Sequence, residues 1–250
     1  MGVGPSALMR LLDVSLADPA ANLALDEAIL RLCDSETLEG TEPPRGYLRF
    51  WESPTHFVVL GVSGRLDEEL DLETCRRDGL PILRRGSGGG TVLQGPGCLN
   101  FAVVLPFERD PRLRDLERSY EIVVGGAAAA LGIEGVARRG RSDLAFGDRK
   151  IGGSAQKRTP RAILHHGTIL YDFDLDLIAR YLREPRKQPD YREKRHHLAF
   201  VTNLGVESTL IRARLARAFE AEPLPPGWPI PDLKALIEER YGNPAWIERW

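Results

Sequence analysis

Leu83-Arg84-Arg85-Gly86-Ser87-Gly88-Gly89-Gly90-Thr91-Val92, continuing through Gly95, Gly97 and Cys98 to Asn100, is the stretch around which the chain is organised. An apolar strand signal, Pro81-Ile82-Leu83, delivers two adjacent arginines, and backbone bare of side chains follows at Gly86, Gly88, Gly89 and Gly90. Glycine costs an ordered chain more conformational entropy than any other residue, so a run this dense implies a sharp turn or a close approach to a ligand. Oriented backbone N–H groups bind anions, and with Arg84 and Arg85 beside them the loop is expected to hold negative charge. The spacing matches neither Gly-x-x-x-x-Gly-Lys-Ser/Thr nor Gly-x-Gly-x-x-Gly, which sets the ordinary nucleotide loops aside. A plain hairpin turn explains one or two glycines, but not the arginine pair, Ser87 and a second cluster at Gly95 and Gly97.

A second signal lies downstream in Asp148-Arg149-Lys150-Ile151-Gly152-Gly153-Ser154-Ala155-Gln156. Strand alternation puts Lys150 on one face with Gly152 and Ser154, away from Arg149 and Ile151. Small residues on that face leave room for a ligand, and a lysine ammonium is a compact charge that can follow negative charge between oxygens. Ile163-Leu164-His165-His166-Gly167-Thr168 ends a strand with adjacent imidazoles, which point to opposite faces and cannot jointly grip one metal. From Arg138 to Arg161 eight cations (Arg138, Arg139, Arg141, Arg149, Lys150, Lys157, Arg158, Arg161) stand against two carboxylates, Asp143 and Asp148, although the whole chain carries a formal charge of −2. Such concentration suits a small polyanion better than nucleic acid; a solvated charged face is the plain alternative.

With 250 residues and 42% hydrophobic content the chain can bury a real core, as one large domain or two small ones. Its apolar runs are too short to cross a bilayer, and the N-terminus lacks the pattern of a signal peptide, so a cytoplasmic protein without a membrane partner is expected. Met1-Gly2 with Ser6 fits the loose myristoylation pattern, which is short enough to recur by chance. Cys33, Cys75 and Cys98, odd in number and widely spaced, suggest neither a disulfide framework nor a structural zinc site.

Residues 8–16 read as a strand, and Asp18-Pro19 opens a helix to about Asp34 with Leu25, Ala28, Ile29 and Leu32 on its buried stripe. A polar loop over 35–46, β segments at 47–51 and 56–60, a helix over 67–77 and a β run over 99–105 follow, with His56 structural. The alanine-rich 119–131 suits a buried helix in which Gly125 and Gly126 permit close packing. Strands over 142–146, 149–156 and 162–171, the first two joined at Gly147-Asp148, precede a short helix over 174–182 and a charged loop over 183–197. Ser208 is read as the cap of a helix with Ile211, Leu215, Ala218 and Phe219 on its apolar face. Residues 223–231 are a rigid linker, and a last helix runs from Asp232 to before Gly242. Hairpins interleaved with helices predict an α+β fold: a mixed, largely antiparallel sheet flanked by helices.

Arg-Arg-x-Ser-Gly-Gly-Gly-x-Val, Ser-Asp-Leu, Gly-Asp-Arg-Lys-Ile-x-Gly-Ser-Ala and His-His-Gly-Thr, in this order and at these intervals, resemble the lipoate-protein ligase A family. Asn22-Leu23-Ala24-Leu25-Asp26-Glu27 and Val201-Thr202-Asn203-Leu204 resemble it too, so the likeness covers roughly residues 10–205. It implies the fold of the biotin/lipoate ligase and class II aminoacyl-tRNA synthetase core, as a single catalytic domain over 1–250. The core would run over about 8–205, with a C-terminal helical extension at 206–250 and no full accessory domain. It also implies a reaction in which lipoate or octanoate is activated by ATP with Mg²⁺ to an acyl-adenylate. The acyl group then passes to a lysine of a lipoyl-domain or glycine-cleavage H-type acceptor, with a small accessory subunit as a further expected partner.

Carried over position by position, Lys150 matches the lysine that contacts the adenylate phosphate and acyl carbonyl. Arg85, Ser87, Gly88, Gly89, Gly90 and Thr91 match the loop around the ligand, and Asn100, Asp143, Gly153, Ser154, Lys157 and His166 match other pocket positions; no dedicated metal site is implied. The chain departs from the pattern in two places. Gln94-Gly95-Pro96-Gly97-Cys98-Leu99-Asn100 stands where ligases often carry His-Asp-x-Gly-Asn, and Leu60-Gly61-Val62-Ser63 lacks Gly-x-x-Gln. The competing reading is an octanoyltransferase of the same superfamily, working through a cysteine thioester without ATP. Cys98 would be its candidate nucleophile, since Asp143 occupies the region where related transferases place theirs; a small buried cysteine is the structural alternative. A non-catalytic cofactor-binding subunit of a bipartite ligase is the third.

Overall fold

The computed structural model describes residues 8–39 and 45–249; the Met1-Gly2 pattern and Pro43-Pro44 lie outside them. In chain order the strands are β1 Met9–Asp13, β2 Tyr47–Trp51, β3 Phe57–Leu60, β4 Ile82–Arg84, β5 Val92–Gln94, β6 Cys98–Pro106, β7 Val136–Arg139, β8 Asp143–Phe146, β9 Arg149–Arg158, β10 Ala162–Leu170 and β11 Ala221–Pro223. The main sheet has the order β11-β1-β2-β6-β10-β9-β8-β7, and β4-β3-β5 form a smaller one. In the main sheet only the pairings of β1 with β2 and β11 are parallel; the remainder are antiparallel, as expected.

β6 shows why the sheet sits where it does. Phe101, Val103 and Leu105 pack on one face with the helical stretch over 116–131 and the helix Ser208–Ala218, while Ala102 and Val104 meet Leu25, Ile29 and Leu30 of the helix Pro19–Glu39 on the other. A strand covered on both faces reads as an unbroken apolar run. The small sheet is likewise double-sided. Val58, Leu60 and Leu93 face Ile178, Tyr181 and Phe200, whereas Phe57, Val59 and Leu83 face Leu23, Leu236 and Tyr241. No helix among the described residues is long and apolar enough to cross a membrane.

Several local readings are corrected. The first helix continues to Glu39 through a segment that reads as polar loop. Ser35 and Thr37 donate back to the Leu32 and Cys33 carbonyls, and Glu36 accepts from Arg10 and Tyr47, so polar side chains are satisfied without leaving the helix. The helix expected over 67–77 breaks into Leu66–Glu69 and Leu72–Arg77, the second capped by Asp71. Ser208 is the first residue of its helix; Glu207 holds the cap position and makes no side-chain cap bond. Gly125 and Gly126 lie in a π-helical turn and its junction, with open space where a Cβ would stand, so close packing does not require them.

The C-terminal segment is structural rather than appended. Trp246 donates its indole N–H to the Arg84 carbonyl at 3.0 Å, Arg84 Nε donates to the Ile247 carbonyl at 2.9 Å, and Tyr241 donates to Glu27 Oε2 at 2.8 Å. These bonds fasten residues 237–249 against the first helix and the base of the glycine loop.

Glycine demand is therefore unequal along the chain. A Cβ on Gly152 would lie 1.9 Å from the Thr168 carbonyl oxygen, so Gly152→Ala is expected to cost about 3 kcal/mol, the upper end of ordinary overpacking. Gly126→Ala should instead raise stability by about 0.5–1 kcal/mol, the helix-propensity difference. Urea unfolding of the two variants measures both, and equal stability of the two would contradict the packing described.

Candidate active site

Arg85 is buried, with its guanidinium turned into the glycine loop rather than toward solvent. It donates to the Gly88 and Gly90 carbonyls at 2.6 and 2.8 Å, to Ser87 Oγ at 3.0 Å and to the Val59 carbonyl at 3.3 Å. Burial pulls its pKa down to about 10. Arg84 is likewise enclosed, bonded to the carbonyls of Gly61, Gly64 and Ile247. Both guanidinium groups are bonded mainly to backbone oxygens, although Arg84 Nη2 is buried without a partner among the described residues. Because a trans peptide places C=O and N–H on opposite sides, carbonyls of Gly88 and Gly90 drawn toward Arg85 turn the N–H groups of Gly89 and Thr91 the other way. The Gly88, Gly89 and Gly90 amides make no hydrogen bond among the described residues. Gly61 is a close-approach position, since a Cβ there would stand 2.0 Å from the Gly89 carbonyl oxygen.

The loop faces the middle of the main sheet. Asp143 pairs with Gly153 across β8 and β9, and the register shifts between Leu144 and Ala145, so that Ala145 pairs with Lys150 and β9 carries an extra residue. This bulge corrects the expected alternation. Lys150 comes to the side of Gly153, whose absent side chain would stand 3.0 Å from Nζ, while Gly152 is pressed against β10. Lys150 Nζ lies 2.8 Å from Asp143 Oδ1, and Tyr191 donates to Asp143 Oδ2 at 2.9 Å.

Two spaces meet at Lys150. A cleft of about 1020 Å³ is lined by Gly88–Thr91, Asp143, Lys150, Gly153 and Ser154, with Arg139, Arg141, Arg183 and Lys187 among its cations. A narrow pocket of about 130 Å³ shares Gly89–Val92, Lys150 and Gly153–Ala155 with it, and adds apolar walls from Leu23, Trp51, Val59 and Phe101. The polar members it adds are Asp26, Arg85, Gln94, Asn100 and His166. Asp26 is ion-paired to Arg49 at 2.5 Å and His166 Nδ1 stands 3.8 Å from its Oδ2. Burial alone would raise the Asp26 carboxyl, but the Arg49 charge and the His166 bond hold it below the usual range. His166 Nε2 meets Ser87 Oγ at 2.5 Å, which joins the loop to β10.

Of the residues singled out from the sequence, Lys150, Asp143, Gly88, Gly89, Gly90, Thr91, Gly153 and Ser154 line the cleft, and Asn100 and His166 line the pocket. Ser154 Oγ is buried without a partner among the described residues, a hydroxyl available to a ligand. Thr91 donates to Glu69. Arg85 also lines the pocket, while Ser87 lines neither space and bonds His166 from behind the wall. Lys157 lines neither space; its ammonium is 2.6 Å from Glu27 Oε2, beneath Gly86. The cation-rich segment is dispersed, because alternate strand positions face opposite ways: Arg158 reaches the Arg114 carbonyl, Arg161 pairs with Asp34, and Arg138 and Arg141 share Glu117. Cys98, read from the sequence either as a nucleophile or as a small buried cysteine, is fully buried, and burial pushes its thiol pKa far up. His165 is also fully buried, edge-on to Tyr120, and burial lowers its pKa to about 3. Tyr191, Glu69 and Gln94 were not reached from the sequence; Tyr191 sits in a charged stretch without periodicity.

Glu27 joins the site to the C-terminal segment through Lys157, Arg31, Arg240 and Tyr241. Burial opposes its ionisation, yet these partners, Lys157 first, hold its pKa down to about 2 against an ordinary 4.5. A carboxyl lowered on folding contributes stability above its unfolded pKa, and that contribution disappears as pH falls from about 4.5 toward about 2. Thermal melts across this window should show a steeper acid loss for the wild type than for Glu27→Gln; parallel curves would refute the assignment.

The family model described as "Lipoyl protein ligase A/B catalytic domain" matches residues 18–219. An octanoyltransferase LipM of Moorella thermoacetica is 29% identical over 278 residues, covering 98% of this chain and 99% of its own. Among solved structures, a bipartite lipoate protein ligase from Thermoplasma acidophilum superimposes with a TM-score of 0.77 at 24% identity, covering 96% of both chains. A lipoate-protein ligase A bound with ATP gives 0.75 at 23% identity, covering 96% of this chain and 98% of its own. With the glycine wall, the strand-borne lysine and this match over most of its length, the chain belongs to the lipoyl protein ligase A/B catalytic domain family.

Proposed function

We propose that the protein activates lipoate or octanoate with ATP and transfers the acyl group to a lysine of a lipoyl-type acceptor domain. The observation that carries this reading is the Asp143–Lys150 pair facing the glycine wall, where the narrow pocket opens into the cleft. Asp143 lies in the region where a thioester-forming transferase would need its nucleophile. Cys33, Cys75 and Cys98 are all buried in the core. The apolar walls at Trp51, Val59 and Phe101 suit an acyl chain, and the larger, cation-lined cleft suits a nucleotide.

In this reading a carboxylate oxygen of the acid attacks the α-phosphorus of ATP and the bond to pyrophosphate breaks. The amine of the acceptor lysine then attacks the acyl carbon, AMP leaves, and the amine proton passes to solvent. Lys150 offsets the repulsion between carboxylate and phosphate, and the Gly89 and Thr91 N–H groups supply fixed dipoles beside it. A magnesium ion would be carried on the triphosphate with water completing its shell, since of the cleft carboxylates Glu69, Asp143 and Asp190 the first two are already engaged by Thr91 and Lys150. Supporting likenesses are the relative bound with ATP and the relative described with its E2 lipoyl domain. An H-type acceptor and a small accessory subunit belong to the same proposal.

The second reading, octanoyl transfer without ATP, is favoured by the likeness to the octanoyltransferase LipM. Purified protein with ATP, Mg²⁺ and lipoate or octanoate should catalyse exchange of labelled pyrophosphate into ATP. Lys150→Ala should lose at least about 100-fold, the range for removal of one electrostatic group acting on the transition state. Cys98→Ser should retain the activity. Modification of a lipoyl domain by octanoyl carrier protein without ATP, lost in Cys98→Ser, would select the transferase instead.

A further inference from the structure

We infer that Tyr191 is a positioning residue for Lys150, acting through Asp143 and not by touching substrate. The inference rests on the reading that Lys150 is the group acting at the reacting centre. Lys150 projects from β9 on a flexible four-carbon stem, and its side chain is 29% exposed, so its backbone position alone does not fix where the ammonium sits. Asp143 Oδ1 holds it at 2.8 Å, but a carboxylate turns about its own terminal torsion. The Tyr191 hydroxyl stops that rotation by donating to the other oxygen, Oδ2, at 2.9 Å.

Tyr191 is itself held. Its ring leans on Phe200 at 5.1 Å between centroids, and its carbonyl accepts from Arg195 at 2.8 Å. Arg192 pairs with Glu184 and Arg195 with Asp148 on either side of Glu193 and Lys194, two non-glycine residues in left-handed backbone (φ 52° and 58°). A short segment without regular periodicity is thus tied down at several points and delivers one hydroxyl to the carboxylate that orients the lysine. A tyrosine needed only to fill the cleft wall would be satisfied by the Phe200 contact; the aimed hydroxyl is what requires explanation.

Asp143 is faced by Lys150 from β9 and by Tyr191 and Arg192 from the 183–197 segment, with Arg139 its cross-strand neighbour on β7; Arg139 and Arg195 face Tyr191, and His197 faces Lys150. Tyr191→Phe keeps the ring and removes only the bond. A phenol that donates to one carboxylate oxygen fixes where the other lies, so without it Asp143 should hold the Lys150 ammonium less firmly. In the full chain with ¹³C-methylated lysines, the Lys150 resonance is identified by its loss in Lys150→Arg. Its chemical shift at neutral pH should move in Tyr191→Phe toward the value it takes in Asp143→Asn.

In acceptor modification with ATP and acid, Tyr191→Phe should lower kcat about tenfold, the equivalent of one hydrogen bond to a charged group. KM for ATP and for the acid should change less than about twofold, since a positioning contact acts mainly in the transition state. In an Asp143→Asn background the same substitution should have little further effect. An unmoved Lys150 resonance, or an equal loss in both backgrounds, overturns the inference and leaves Tyr191 as a loop anchor. A wild-type protein inactive in both pyrophosphate exchange and acceptor modification defeats the functional reading instead, while the lysine resonance still decides the coupling.

Discussion

A guanidinium taken out of water must be surrounded by acceptors, and Arg85 obtains them from the carbonyls of Val59, Gly88 and Gly90 and the hydroxyl of Ser87. The loop's shape follows from that requirement. Carbonyls collected on one side leave amide dipoles on the other, and a backbone bent this tightly needs residues without Cβ at Gly89, where φ is 92°, and at the contacting Gly61. Arg84 repeats the arrangement one residue earlier, binding Gly61 and Gly64 to the C-terminal segment. Two buried charges therefore organise three remote pieces of backbone, and Arg85 both shapes the loop and lines the pocket.

The opposite wall depends on an irregularity in a strand. Without the bulge in β9, Lys150 and Gly153 would point to opposite faces and Lys150 could not share the cleft with Asp143. With it, a cation and a carboxylate lie side by side at the junction of a narrow apolar-walled pocket and a wide, cation-lined cleft. An acid lodged in the pocket would present its carboxyl at that junction, where repulsion from a phosphate is met by one ammonium and a set of fixed N–H groups.

Much of this could be read before the fold was known. The antiparallel core and the opposed faces of His165 and His166 follow from the order of hairpins and from strand alternation, and the pairing of a glycine loop with a lysine strand from the family resemblance. Other assignments failed for definite reasons. Ser35, Glu36 and Thr37 looked like loop because their polarity is visible in sequence and their return bonds to the helix and to Arg10 are not. Lys157 resembled a pocket cation, but Glu27, far off in sequence, lies under it. Cys98 reads from sequence either as a nucleophile or as a small buried cysteine, and only the fold shows it buried.

Local sequence by itself determined the elements and the chemical kinds of group available, because helix and strand periodicity and glycine tolerance are properties of a few consecutive residues. Tertiary structure decided which charges are spent on the scaffold and which face the cleft, since the solvation of an ion depends on whatever comes within a few ångströms of it. Arg85, Lys157 and Lys150 are all cations in motif positions. Only the folded chain separates the one beside Asp143 and Tyr191 from the two held by carbonyls and by Glu27.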